Sequence, residues 1–192
     1  AFSLCVYCGA RPGQDPIHRA TARAIGAAIG RRGWQLVYGG GHSGLMGELA
    51  DAALTSGAHV VGIIPHRLIE RELGHGGVHE LIKVDTMHQR KQLMADRADA
   101  FLTLPGGVGT LEELFETWTW LQLGYHAKPI GLLNVAGYFD PLLDFMQRTV
   151  DQGFLSPEQM STLSVDTDGE RLLEALQARS KAVVRTADYS AV

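Results

Sequence analysis

The chain has 192 residues, 45% of them hydrophobic and 20% charged, which suits one globular domain with a substantial core. A formal net charge of -4 argues against a general nucleic-acid binder, which needs a basic surplus. No apolar run approaches the ~20 residues of a membrane span.

In chain order, Leu4 to Tyr7 reads as a short apolar strand that ends in the turn CGARPG. The stretch AFSLCVYCG has neither the basic start nor the long apolar region of a signal peptide, so a cytoplasmic location is expected. Cys5 and Cys8 form a CxxC, a spacing that is redox-active when it opens a helix. Here it lies within and at the end of a strand, where odd spacing points the two side chains to opposite faces. Two buried or semi-buried free thiols in a reducing compartment are expected instead.

Residues from about Pro16 to Arg32 place Ile17, Ala20, Ala24, Ile25, Ala28 and Ile29 at helical spacing, with Gly33 as the stop. Gln35 to Tyr38 predicts a second strand, followed by Gly39-Gly40-Gly41. Ser43 is placed to cap a helix from Leu45 to Thr55, which Gly57 stops. His59 to Ile64 is a third strand, ended by Pro65. The passage HRLIERELGHGGVHE has weak periodicity and is expected to be an active-site loop. Leu81 to Val84 is a strand, Met87 to Arg97 a helix, and Phe101 to Leu104 a strand that leads into a helix ending near Leu123. Ile130 to Leu133 is the last clear strand, and Tyr138 to Val150 and Gly169 to Ala178 are helices. Residues 1–180 therefore read as one domain, and 181–192 as a loosely ordered tail.

Strands separated by helices mean βαβ crossovers and a parallel sheet covered on both faces. The expected fold is a Rossmann-like, doubly wound α/β domain without internal repeats. In such sheets the ligand sits beyond the strand C-termini, at the switch point. Many of the 23 glycines cluster at the turns on that edge.

Three of these junctions carry candidate chemistry. GGGHSG at Gly39 to Gly44 satisfies GxGxxG, but the dinucleotide fingerprint also wants an acid at the end of the next strand, where this chain has Ile63-Ile64-Pro65. A tight packing turn or the wall of a smaller nucleotide site are the readings that remain. LPGGVGTLEELFE is a strand, a glycine turn and a helix start, with the helix's first turn carrying Thr110 and Glu113. Converging backbone N–H groups and the helix dipole there favour a phosphate. An acid beside an anion is out of place unless it serves another part of the ligand. The same Thr110-Leu-Glu-Glu113 spacing is also that of a capping box, in which Glu113 would only brace its own helix. Thr86-Met-His-Gln-Arg-Lys91 is the third junction. Arg90, on a helix face with Met87 and Met94, is either a solvated surface residue or a substrate clamp. The histidines show no HExxH or comparable spacing, so no metal is expected.

PGGVGTLEE resembles the PGGxGTxxE signature of the Lonely Guy family of cytokinin-activating nucleoside 5'-monophosphate phosphoribohydrolases, whose members were often labelled lysine decarboxylases. CGARPG, YGGGHSGLMG, GIIPHRL, TMHQRK and WLQLGYHAKPIGLLNVAGYFDPLLDF match that family's pattern in the same order, over residues 4 to 155. Ala10 stands where the family often has Ser. The resemblance implies hydrolysis of the N-glycosidic bond of cytokinin riboside 5'-monophosphates, and of AMP, to free base and ribose 5-phosphate. It implies Arg90 and Glu113 as the essential pair, and Gly106, Gly107, Gly109 and Thr110 as phosphate-binding residues. Glu112, Lys91, Met87, Glu72, Gly9 and Gly41 complete the implied substrate-binding set. It further implies a homodimer, with no cofactor and no nucleic-acid or membrane partner.

The chemistry agrees with those residue types. Cleaving C1'–N9 develops positive charge on the ribose, which a carboxylate stabilises, while an anchored 5'-phosphate holds the sugar in place. Arg90 either meets the charge on the departing base or orients Glu113. The competing readings are a non-catalytic Rossmann-like nucleotide or cofactor carrier and a pyridoxal-phosphate decarboxylase. The latter lacks a lysine marked out by position.

Overall fold

The computed structural model describes residues 1–183. Its strands are β1 (Ser3–Tyr7), β2 (Gln35–Tyr38), β3 (His59–Pro65), β4 (Glu80–Val84), β5 (Ala100–Thr103), β6 (Ile130–Leu133) and β7 (Leu163–Asp166). The helices are α1 (Pro16–Arg31), α2 (Gly44–Thr55), α3 (Met87–Asp96), α4 (Val108–Leu123), α5 (Asp140–Asp151), α6 (Pro157–Met160) and α7 (Gly169–Ala182). The seven strands form one parallel sheet in the order β4-β3-β2-β1-β5-β6-β7. The chain winds outward from β1 to β4, then returns to the other side of β1 at β5. That reversal is the switch point of a doubly wound fold, and it opens a crevice between the C-terminal ends of β1 and β5.

Both sheet faces are covered. One core joins Leu4, Val6, Leu36 and Leu102 to the inner faces of α1, α2 and α7. The other joins Cys5, Val37, Ile63 and Phe101 to α3 and α4. Cys5 and Cys8 fall in different cores, as the odd spacing requires, and both are buried free thiols. Strands buried on both sides need continuous apolar sequence rather than alternation, which is how β1, β3 and β5 read.

Several boundaries differ from the sequence expectation. β7 was missed because an edge strand with one half-exposed face carries a weak pattern; its four residues run buried, half-buried, exposed and half-buried. The helix expected from Tyr138 begins later, at Asp140, after a short 3-10 turn over Val135–Gly137. Ser43 occupies the cap position of α2, yet its hydroxyl makes no capping hydrogen bond. α7 runs on to Ala182, two residues into the expected loose tail, while 184–192 lie outside the described residues.

Candidate active site

The crevice has a volume of about 690 Å³ and is walled by the segments that follow β1, β2 and β3, the turn after β5 and the first turns of α3 and α4. Gly9, Gly39, Glu72, Met87, Arg90, Gly106, Gly107, Gly109, Thr110 and Glu113 all line it. Residues from five sequence segments that share only the C-terminal sheet edge thus meet in one cavity.

Its floor at β5 is a helix N-terminus. α4 is capped by Gly107 with no side-chain hydrogen bond, and its first backbone bond runs from Leu111 N–H to the Gly107 carbonyl at 3.1 Å. The amides of Val108, Gly109 and Thr110 are therefore left without a helical acceptor, and all three residues face the crevice. The Gly9 amide donates to the Pro105 carbonyl at 3.1 Å, tying the two loops of the switch point together. Tyr138 Oη donates to the Gly106 carbonyl at 2.6 Å and fixes the turn from the far side.

The capping-box reading fails on this geometry. The helix begins two residues before Thr110, so Thr110 lies inside the first turn and Glu113 in the second, neither in cap register. A capping box does exist in the chain, at Thr86 and Gln89, where it starts α3 just ahead of Arg90. Glu113 is free of cap duty. It is partly buried at the crevice, and burial pushes its carboxyl up from 4.5 to about 7, with Glu112 and Glu72 adding to the rise and the Arg90 charge opposing it.

Arg90 is not a surface residue. It is 5% exposed. Its Nε donates to the Ile63 carbonyl at 3.0 Å, and Nη2 to the Gly39 carbonyl at 2.6 Å and to Glu72 Oε2 at 2.8 Å. A Cβ on Gly39 would collide with that guanidinium, so the first glycine of GGGHSG is what admits Arg90 to the end of β2. Among the described residues Nη1 has the Met87 sulfur, at 4.0 Å, as its partner.

Three residues of the expected set are not at the crevice. Lys91 turns the other way and bridges Glu112, at 2.5 Å, and Glu116, pinning α3 to α4. Lys91 and Glu112 are a helix-to-helix ion pair because residues 90 and 91 lie about 100° apart around α3. Gly41 is also outside the lining; a Cβ there would meet the Glu72 carbonyl and Met46, so its role is close packing. Conversely, Arg71, Leu68, His18 and Tyr138 line the crevice without having been singled out. The irregular passage after β3 was the available signal for the first two. For His18 and Tyr138, whose rings lie 5.6 Å apart, no local pattern distinguishes them.

Among the described residues one trio has the atoms of a cation site: His42, Asp51 and His75, with ligating atoms within 4.8 Å of one another. No sequence spacing announces it, since the three come from the β2–α2 turn, α2 and the loop before β4.

A family model described as possible lysine decarboxylase matches residues 46–176. The chain is 45% identical over 174 residues to the Arabidopsis thaliana cytokinin riboside 5'-monophosphate phosphoribohydrolase LOG7, covering 91% of this chain and 80% of that protein. It is 44% identical over 174 residues to LOG1 of the same plant, named for the same activity, covering 91% and 82%. The chain belongs to the Lonely Guy family. Within that family the decarboxylase label does not suit this crevice, because no lysine lines it and a pyridoxal Schiff base needs one. Among solved structures, a Moco carrier protein from Chlamydomonas reinhardtii superposes with a TM-score of 0.71 at 20% identity, covering 95% of this chain and 99% of that one. At that identity the likeness is one of fold.

Proposed function

We propose that this Lonely Guy protein hydrolyses the N-glycosidic bond of nucleoside 5'-monophosphates, of N6-modified (cytokinin) adenosine nucleotides and of AMP, releasing free base and ribose 5-phosphate. The observation that carries the reading is the meeting of a bare helix N-terminus, a carboxylate one turn further along the same helix, and a buried arginine in one crevice. The named activity of the relatives supports it.

The 5'-phosphate accepts hydrogen bonds from the amides of Val108, Gly109 and Thr110, with the dipole of the 16-residue α4 behind them. Glu113 lies one turn further on, about 6 Å along the helix from Gly109, so a phosphate held at the N-terminus directs the ribose toward the carboxylate. As C1'–N9 breaks, the electron pair leaves with the base and positive charge grows on the ribose ring, where the Glu113 carboxylate stabilises it. Water adds to C1' and gives up a proton, the departing base takes one up, and hydrolysis is complete. Arg90 brings a fixed positive charge with Nη1 turned to the ligand, the rest of its fork being held by carbonyls and Glu72. It keeps Glu113 anionic enough to act and meets charge leaving with the base. No metal or cofactor is needed for these steps.

The reading also makes the molecule a single hydrolase domain over residues 1–180 and a homodimer with its sites near the interface. Val108 at the crevice mouth and Leu123 at the far end of α4 are large apolar side chains left exposed on one chain, which supports this. Buried free thiols suit a cytoplasmic location. No helix among the described residues is long and apolar enough to cross a membrane.

Base release from AMP and isopentenyladenosine monophosphate, with the two nucleosides as controls, tests the proposal. The nucleotides are expected to be cleaved at least about 100-fold faster than the nucleosides, since the phosphate anchors the sugar. Equal rates would contradict the phosphate assignment, and binding without any base release would favour a carrier.

A further inference from the structure

The His42, Asp51 and His75 trio has no part in the reaction as described, and none of the three lines the crevice. Its bonding argues against a metal. The Gly77 amide donates to His75 Nδ1 at 3.1 Å, so that nitrogen is an acceptor and the ring's proton sits on Nε2. From there it donates to Asp51 Oδ1 at 2.8 Å. A nitrogen that must keep its proton is a donor, not a ligand. His42 Nε2 lies 2.9 Å from the other carboxylate oxygen, and the two rings are tilted at 33° to each other with centroids 4.0 Å apart. Burial acts to raise the Asp51 carboxyl, but the hydrogen bonds and electrostatic pull of His42 and His75 together hold it below its ordinary range.

What the trio holds is the segment that carries Glu72. The amide of His42 donates to the carbonyls of Glu72, at 2.9 Å, and Leu73, at 2.7 Å, and the amide of Ser43 reaches the Glu72 carbonyl at 3.2 Å. The His75 amide returns to the Gly40 carbonyl at 2.9 Å, and Gly41 bridges Gly74. Between these anchors Leu73 has φ 52°, a left-handed conformation that a leucine adopts only where its surroundings impose it. The side chain delivered by this arrangement is Glu72, whose carboxylate takes Arg90 Nη2.

We propose that Asp51, through His42 and His75, is a positioning residue that clamps the Glu72 loop onto α2 and so sets the pose of Arg90 at the crevice. The inference rests on the hydrolase reading for its kinetic test and not for its structural one.

A double-mutant cycle on AMP cleavage measures it. Asp51→Ala is expected to lower kcat about tenfold with KM moved less than twofold. In a Glu72→Gln background the same change is expected to cost less than twofold, because the residue it acts through is already disabled. Asp51→Asn, which keeps an acceptor for His75, is expected to stay within threefold of wild type. Equal cost in both backgrounds, or Asn as damaging as Ala, overturns the proposal. The NMR signal of the buried Arg90 Nε–H gives a readout without turnover: it is expected to shift in Asp51→Ala, and an unmoved signal overturns the clamp. If the wild type cleaves no nucleotide, the hydrolase reading fails while this signal still decides the clamp. Should Asp51→Ala not fold, His42→Ala, on the exposed side of the trio, carries the same cycle with an expected loss of about threefold.

Discussion

Gly106 and Thr110 are packed so that no side chain fits between them: a Cβ built on Gly106 falls 2.6 Å from Thr110 Cβ and nearer still to its hydroxyl. The next glycine, Gly107, has open space around the same position. Gly106→Ala is therefore expected to push the first turn of α4 away from the crevice, raising KM for AMP at least tenfold and costing about 1–3 kcal/mol of stability. Gly107→Ala is expected to leave the melting temperature within about 2 °C. Thermal melts of both variants beside their KM values check the contrast.

Arg90 holds two strand-end carbonyls and a carboxylate with one planar fork, which a lysine cannot do. Arg90→Lys is expected to keep the charge but lose the geometry, lowering kcat by about two orders of magnitude while the protein stays folded. Arg90→Ala leaves the half-buried Glu72 carboxylate without its partner, and a loss of about 2–3 kcal/mol is expected on urea denaturation.

The Glu113 carboxyl is raised to about 7. In the proposed mechanism its carboxylate is the working form, so kcat/KM is expected to rise with pH through an apparent pKa near 7 and then level off. Glu113→Gln is expected to lose about 10²–10⁴-fold in rate and this limb of the profile.

The same shift has a stability consequence of opposite sense. The folded carboxyl binds its proton more tightly than the unfolded chain does, so wild-type stability falls as pH rises from 4.5 to about 7, by up to roughly 3 kcal/mol. Glu113→Gln lacks that loss. Its melting temperature is expected to exceed the wild-type value by several degrees at pH 8, and by less at pH 5.

Cys5 and Cys8 lie in separate cores, and burial raises both thiols, with the Glu113 charge adding to the rise. Neither is expected to react with Ellman's reagent at pH 8 in the native protein. Two thiols per chain should react once it is unfolded, and an intramolecular disulfide in the native state would contradict the strand geometry.

Much of the site was legible because its parts sit at strand-to-helix junctions, and a parallel sheet gathers such junctions on one edge. PGGVGT announces a bare helix N-terminus by its glycines, and TMHQRK places an arginine on the first turn of another helix. Spacing alone did not say which way neighbouring side chains turn. Arg90 and Lys91 are adjacent in sequence, yet one enters the crevice and the other bonds Glu112 and Glu116 on the neighbouring helix. Nor did it fix helix starts to the residue, so Thr110 and Glu113 fitted a capping box that a helix beginning at Val108 cannot form.

By itself the sequence determined the alternation of apolar strands and helices, and with it a doubly wound parallel sheet whose ligand edge carries the glycine turns. That pattern is local, since each strand's apolar run and each glycine stop is written within a few residues. Only the tertiary structure decided what Arg90 touches, which of the glycines yield to a neighbour, and that His42, Asp51 and His75 meet at all. Those outcomes depend on long-range strand order. Placing β1 between β2 and β5 sets residues 9, 39, 90 and 113 around one cavity, and no interval along the chain encodes their distance in space.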